Sequence, residues 1–99
     1  MPEVFLNSKQ KLTLDRISEV PVLANIKWAD VESLFLTLTD QLGGEVRYGS
    51  GSIVILRLPN AKPGVFHKPH KAECDQGTIR SIRRHFKLVG FYNDSYIIS

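Results

Sequence analysis

The spacing of apolar residues predicts two amphipathic helices on either side of a block of short strands. Within residues 28–41, and again within 76–89, apolar side chains recur every three or four positions, which places them on one face of a helix. Gly43-Gly44 and Gly90 follow these segments, and glycine ends a helix at little cost because it adopts the left-handed conformation freely. Asp75 directly precedes the second segment and is a predicted N-cap.

A shorter helix is predicted near the N-terminus. Asn7 and Gln10 have the spacing of a capping box, in which each side chain bonds the backbone N–H of the other residue. Pro21 cannot continue a helical hydrogen-bond ladder, so the helix ends before it. Residues 21–26 are interpreted as a linker.

The period of the pattern changes after this point, and strands replace helices. Residues 45–48, 52–58 and 65–68 are predicted strands, and the middle one, SIVILRL, is the strongest because it is rich in β-branched residues. Gly49-Ser50-Gly51 forms a tight turn between the first two. Because the connections are short, we expect an antiparallel meander.

The predicted order of elements, α, α, β, β, β, α, is an α+β fold. A three-stranded antiparallel sheet can bury one face under the two amphipathic helices, and this α-β-β-β-α core is the plan of a double-stranded-RNA-binding-like domain. We expect the core domain at residues 27–91, an N-terminal helical extension with its linker at 1–26, and a C-terminal tail at 92–99.

The composition is that of a small globular protein. Of 99 residues, 42% are hydrophobic and 23% are charged, which excludes a disordered or low-complexity chain. No apolar run approaches the ~20 residues that span a bilayer, and the first residues lack the layout of a secretory signal. Cys74 is the single cysteine, so no internal disulfide can form, and a cytoplasmic location is expected.

Charge is distributed unevenly along the chain. Residues 1–56 carry five Lys and Arg against seven Asp and Glu, whereas residues 57–99 carry eight against three, together with all three histidines. A basic half makes a polyanion such as RNA a candidate partner. The cations considered for RNA binding are Lys68, Lys71, Arg80, Arg83, Arg84 and Lys87. For the last four of these, a solvated helix face is the competing explanation.

The segment FHKPHKAEC, residues 66–74, concentrates the groups that can do chemistry. His67 and His70 lie three residues apart beside lysines, and histidine exchanges protons near neutral pH. A base for the ribose 2′-OH, an acid for the leaving oxygen and a cation for the phosphate suffice to cleave RNA without a metal. Two other interpretations stay open: the histidines serve only the structure, or they bind a metal together with Cys74.

Three other features of the sequence are less specific. Ser50 and Ser52 belong to a Gly-Ser turn whose backbone N–H groups can hold a phosphate, although most such turns only reverse the chain. His85 is predicted to lie on the surface of the last helix, and Trp28 to anchor the core. Phosphate-loop, dinucleotide and Ser-His-Asp motifs are absent from the sequence.

Four segments in this order, IKWADVESLF, GSGSIVILRL, GVFHKPH and DQGTIRSIRRHFKLVGF, resemble the HicA family of toxins from type II toxin–antitoxin systems. The resemblance covers most of the chain and is nearest to the subgroup with an F-H-[KR]-P-H segment. It implies a double-stranded-RNA-binding-like fold, a ribonuclease that acts on mRNA without a cofactor, and a HicB-type antitoxin that covers the active site. His70 matches a histidine that recurs in the family ahead of the last helix, so it is the first catalytic candidate.

One position departs from the family pattern. Many members of the family have a catalytic histidine directly after the Gly-Ser turn, where this chain has Ser52. Serine is not a base near neutral pH, and three hypotheses about the function are therefore kept, the third of which rests on His67, His70 and Cys74 and not on this position. The chain is a ribonuclease that uses His67 and His70, or it is a silent module that binds RNA or an antitoxin, or it has a metal-dependent or DNA-directed function.

Overall fold

The computed structural model describes residues 4–19, 21 and 25–91, and the backbone of 96–98. Its elements, in chain order, are β1 (Val4–Leu6), α1 (Ser8–Ile17), α2 (Trp28–Leu42), β2 (Glu45–Tyr48), β3 (Ile53–Arg57), β4 (Gly64–His67), α3 (Gln76–Leu88) and β5 (Tyr96–Ile98). This order confirms the predicted α+β class and the α-β-β-β-α core. The predicted linker and tail fall partly outside the described residues, at 22–24, 92–95 and 99.

Strands β2, β3 and β4 form an antiparallel sheet in that spatial order, as the short connections predict. Val54 in the central strand pairs with Tyr48 on one side and with Phe66 on the other. Val54 and Leu56 are buried, whereas the residues between them point to the opposite face. Helices α2 and α3 cover the first face, and no other described helix covers the second.

Phe35 of α2 lies at the centre of the core. Its ring centroid is 6.0 Å from that of Trp28, 5.5 Å from that of Phe66 and 6.0 Å from that of Phe86. These rings come from α2, β4 and α3 and meet in the edge-on and tilted geometries that aromatic pairs prefer. They therefore join the sheet to both covering helices. The burial of Trp28 confirms its predicted position in the core.

The predicted capping box of α1 is present and has a second use. Gln10 N–H donates to Asn7 Oδ1, and Asn7 N–H donates to Gln10 Oε1. The Gln10 amide also donates to Ser33 Oγ at 3.1 Å and to Thr37 Oγ1 at 2.7 Å, both on α2. The residue that caps α1 therefore also fastens this helix against α2.

A two-stranded parallel sheet pairs β1 with β5, and the sequence pattern did not predict it. The other edge of β1 is met by Gln41 of α2. Phe5 N–H donates to Gln41 Oε1 at 2.8 Å, and Gln41 Nε2 donates to Phe5 O at 2.7 Å. A side-chain amide thus occupies the position of a neighbouring strand, while the Val4 and Leu6 side chains are buried in the core.

The turn after α2 requires glycine, as predicted. Gly43 and Gly44 both have positive φ, at 88° and 109°. A Cβ added to Gly44 would collide with the carbonyl oxygen of Arg57 in β3. Any other residue here would push β2 away from β3, because only glycine combines this backbone conformation with so close an approach.

The prediction that His85 lies on the surface is wrong. The side chain is 8% exposed, and its ring lies edge-on to Phe66 at a centroid distance of 5.8 Å. Gly64 makes room for it, because a Cβ there would lie 2.8 Å from the imidazole. Burial lowers the pKa of His85 below 6.5, and its buried Nε2 has no hydrogen-bond partner in the described chain. His85 is therefore a neutral packing residue at the border of the apolar face of α3.

Replacing this histidine by leucine is expected to stabilise the protein. His85→Leu removes an unpartnered buried nitrogen, so the free energy of unfolding should rise by about 1 kcal/mol at neutral pH. The difference in the free energy of unfolding between the variant and the wild type should increase on acidification. The unfolded wild type takes up a proton below about pH 6.5, before the folded state does, so the wild type loses stability as pH falls. Urea unfolding of both proteins at about pH 7.5 and about pH 5.5 measures this; an unchanged pH dependence in the variant would contradict it.

Candidate RNA-cleavage site

The ends of β3 and β4 bring Ser52 and His67 together. Ile53 pairs with His67, and Lys68 N–H donates to Ser52 O at 2.7 Å, which continues the ladder by one step. The Ser52 hydroxyl consequently lies 3.3 Å from Nδ1 of His67, within hydrogen-bond distance. Because His67 is exposed, the serine holds one ring nitrogen while the ring stays accessible to a ligand.

The loop at residues 68–75 is anchored at its far end by the chain just before α2, where the sequence predicts a linker. Cys74 N–H donates to Ile26 O at 2.8 Å, and Trp28 N–H donates to Ala72 O at 2.9 Å. Between these two bonds, the backbones form an isolated antiparallel bridge. The chain just before α2 therefore pairs with the loop as a strand does, and the loop is fixed at both ends.

His67 and His70 line a single surface cleft of about 550 Å³ at this end of the sheet. Both side chains are exposed, so both imidazoles are accessible to a ligand. The residues that line the cleft are Ser52, His67, Lys68, Pro69, His70, Lys71, Glu73 and Asp75. The fold therefore brings both predicted catalytic residues together with Ser52 and two of the predicted RNA-binding lysines.

The cleft also contains two carboxylates that sequence analysis did not assign to it. Asp75 is the N-cap of α3, as predicted, and accepts a hydrogen bond from Thr78 N–H at 2.7 Å. This hydrogen bond, with a smaller contribution from the charge of Lys71, lowers the pKa of Asp75. Glu73 is partly buried. Glu73 lies inside the histidine-rich segment at residues 66–74 and Asp75 directly follows it, and this proximity is the signal that could have identified them. The cleft is thus mixed in charge.

The comparison with known families covers this core and its cleft. Residues 28–88, from the start of α2 to the end of α3, match the family model described as HicA toxin of bacterial toxin–antitoxin. The chain belongs to the HicA toxin family. It is accordingly a toxin of a bacterial toxin–antitoxin system, and an antitoxin is its partner. No curated protein and no solved structure gives a significant match.

In this HicA toxin, the basic residues of α3 lie outside the cleft. Arg80, Arg84 and Lys87 are exposed. Arg83 is partly buried, and its guanidinium donates to Glu19 O, beyond the end of α1, at 2.9 Å. Since α3 begins at the cleft and rises about 1.5 Å per residue, Arg80 lies nearest to the cleft and Lys87 farthest. Three of the four predicted phosphate-binding cations on this helix are therefore freely accessible.

The two serines of the turn differ in position. Ser52 lines the cleft, whereas Ser50 does not. Ser50 is exposed, and its carbonyl accepts a long hydrogen bond of 3.4 Å from Ile53 N–H. Gly51 between them has a positive φ of 64°, which is what a tight reversal between two strands requires.

The metal interpretation lacks its third ligand. The Cys74 thiol is buried, and this burial, with the nearby charge of Asp75, raises the pKa of Cys74 to about 11. It therefore stays protonated near neutral pH, and it does not line the cleft with the two histidines. Within the described residues, no cluster of three His, Cys, Asp or Glu side chains could hold a metal ion.

None of the described helices combines the length and hydrophobicity needed to cross a bilayer.

Proposed function

We propose that this HicA toxin is a metal-independent endoribonuclease that cuts mRNA in the cleft between β4 and α3. The observation that carries the proposal is the cleft itself, in which two exposed histidines, His67 and His70, lie beside Lys68 and Lys71. Imidazoles supply proton transfer near neutral pH, and lysines supply the charge that a phosphate requires. With mRNA as the substrate, the activity takes place in the cytoplasm.

The proposed reaction uses the ribose hydroxyl of the RNA as the nucleophile. His70 removes the proton of the 2′-OH, and the resulting oxygen attacks the adjacent phosphorus. The bond from phosphorus to the 5′-oxygen breaks, and His67 donates a proton to that leaving oxygen. One product ends in a 2′,3′-cyclic phosphate and the other begins with a 5′-hydroxyl. Lys68 or Lys71 offsets the negative charge that develops on the phosphate.

Ser52 supports a catalytic role for His67. Many members of the family have a histidine at this position, and here the Ser52 hydroxyl lies 3.3 Å from His67 Nδ1. The His67 imidazole therefore lies within hydrogen-bond distance of Ser52, the position at which those relatives have their histidine. The serine orients the ring through Nδ1, which leaves Nε2 as the nitrogen that exchanges a proton with RNA. In this role Ser52 is a positioning residue.

The substrate is held by phosphate contacts more than by base contacts. Lys68 and Lys71 in the cleft, and Arg80, Arg84 and Lys87 on α3, are exposed cations that suit phosphates. Arg83 and Ser50 contribute less in this proposal, because the first is bonded to Glu19 and the second lies outside the cleft. RNA binding of this kind weakens steeply with salt.

Cleavage of an end-labelled RNA in the presence of EDTA tests this proposal. We expect the purified toxin to cut the RNA with the chelator present and to leave 2′,3′-cyclic phosphate ends. The matched control is the same oligonucleotide with a single 2′-deoxyribose at the preferred cleavage position, which should resist cleavage there because it lacks the nucleophile. Cleavage that stops in EDTA, or that proceeds at the deoxyribose, would contradict the proposed chemistry.

A catalytically silent module is the second candidate, and Ser52 is the observation that favours it. If the histidine after the turn is indispensable, the chain binds RNA and an antitoxin but leaves RNA intact. Salt-dependent RNA binding without any product in the cleavage assay would support this candidate. In either case we propose a HicB-type antitoxin as the partner that neutralises the chain.

A further inference from the structure

One face of the sheet carries apolar side chains that no described helix covers. Strand β3 directs Ile53 and Ile55 to this face, and β4 directs Val65 to it, directly opposite Ile55. Ile53 and Ile55 are partly buried, and Val65 is 56% exposed. These three branched side chains form a short row, named here the apolar row, that ends beside His67.

This row departs from the usual pattern of an antiparallel sheet with one solvated face. Such strands alternate apolar residues toward the core with polar residues toward water, whereas strands covered on both faces are continuous apolar runs. The central strand is a run of this second kind, with Ile53 to Leu56 apolar without interruption. Only the face that carries Val54 and Leu56 is buried. The other face therefore has the composition of a surface that a partner covers.

Cationic side chains flank the apolar row. Arg47 of β2 lies opposite Ile55, and Arg57 of β3 lies opposite Glu45, all on this same face. Glu45 is the single carboxylate among the outward-facing residues of the three strands, and it lies 3.2 Å from Arg47 and 3.9 Å from Arg57. One carboxylate is shared by two guanidinium groups, so the face keeps a positive balance.

We propose that the antitoxin docks on this open face, with apolar side chains against the apolar row and carboxylates against Arg47 and Arg57. This partner class follows from the family membership of the chain, and the proximity of the surface to the active site rests on the proposed function. A second copy of the chain fits poorly, because a two-fold contact would oppose the same cations on both sides. RNA fits poorly too, because sheets that bind bases use several aromatic rings for stacking, and His67 at the end of the row is the only ring among the outward-facing positions of these three strands.

The position of the row explains how docking there would silence the toxin. His67 lies opposite Ile53 at the end of the row and also lines the cleft. A protein that covers Ile53, Ile55 and Val65 therefore extends as far as the rim of the cleft. It can do so without inserting any of its own side chains into the cleft. The antitoxin excludes RNA by occupying the approach to His67, and acidic groups placed for the arginines also repel the RNA backbone.

Calorimetric titration with the cognate antitoxin tests the surface, with each protein purified as the full chain. Val65→Lys should weaken binding on the order of 100-fold, because it places a charge where an apolar side chain is buried. Arg57→Glu should weaken it roughly tenfold or more and reduce its salt dependence. The matched control is Leu88→Lys, which places the same charge at an apolar position of α3 that is 78% exposed. It should leave affinity within about twofold of wild type.

The outcomes separate this inference from the proposed enzymatic activity. Free Val65→Lys should cleave RNA like the wild type, since Val65 lies outside the cleft. A toxin that cuts RNA but binds its antitoxin equally well in the wild type and in both sheet variants would overturn the docking surface alone. Failure of the cognate antitoxin to bind would overturn it as well, as would a dimer of the free chain that Val65→Lys dissociates. A chain that leaves RNA intact but loses its antitoxin through Val65→Lys would refute only the enzyme.

Discussion

Replacing both His67 and His70 by alanine is expected to reduce RNA cleavage by at least about a thousandfold. Each imidazole is assigned one proton transfer, and a positioned acid or base typically contributes about a hundredfold to ten-thousandfold. The two losses are not expected to multiply, because both groups act in the same step. The measurement is the single-turnover rate on an end-labelled RNA with the toxin in excess. Expression of the double variant should also leave growth unaffected at an abundance where the wild type arrests it.

The third histidine provides the matched control for this experiment. His85→Leu removes an imidazole that is buried against Phe66 and outside the cleft. It should therefore cleave RNA at the wild-type rate and remain toxic. The single variants His67→Ala and His70→Ala separate the proton donor from the acceptor. Only loss of the donor should be relieved by an RNA whose leaving group needs no protonation, such as a 5′-thio substituted linkage. A double variant that still cuts RNA at a comparable rate would exclude both residues from catalysis.

Phe35→Ala is expected to remove a large part of the free energy of unfolding of the protein. The ring is fully buried and contacts three other rings, from Trp28, Phe66 and Phe86. Truncating a buried phenylalanine costs about 3–5 kcal/mol, because apolar contacts are lost and a cavity remains. Small domains have a total stability of only about 5–15 kcal/mol. A shift of the urea midpoint measures the loss of stability, and RNA cleavage should fall with the folded fraction.

The neighbouring residue is the control for this prediction. Leu36 follows Phe35 in α2 but points outward and is 50% exposed. Leu36→Ala should therefore change the free energy of unfolding by about 1 kcal/mol or less. Equal destabilisation by the two substitutions would mean that the aromatic cluster does not determine stability.

Local signals predicted most of the core correctly. Asn7 with Gln10, and Asp75 before α3, fix helix starts through hydrogen bonds that span three residues, so they can be read directly from the sequence. The two glycines after α2 end it because of their own backbone conformation. The alternation in SIVILRL sets which residues of β3 face the helices. In each of these cases, the residues that determine the element lie within a few positions of it.

Contacts between distant segments account for what was missed. His85 has a helical position at the border of the apolar face, and only the absence of a side chain at Gly64 in a different element makes its burial possible. The pairing of β1 with β5 joins opposite ends of the chain. The bonds of Ile26 to Cys74, and of Arg83 to Glu19, likewise depend on how helices and loops pack. The spacing of apolar residues along the sequence carries no information about pairings between such distant segments.

The candidate site shows the same division between local and distant information. His67, His70 and the two lysines are close in sequence, so their presence in one cleft was predictable from the segment alone. The contact between Ser52 and His67 depends on the register of β3 against β4. A shift of one residue would turn the ring to the other face of the sheet. The functional prediction for Ser52 therefore changes from a missing base to a partner of His67 only once the register is known.

The amide of Gln41 has a consequence for how this protein behaves among copies of itself. An exposed strand edge is a template on which other chains can add, and growth of this kind leads to aggregates. In β1, one edge is paired with β5, and the backbone groups of Phe5 at the other edge are taken by Gln41. A glutamine from a helix thus closes the β1 edge of this two-stranded sheet, and that edge offers no free backbone groups at Phe5 from which a fibril could grow.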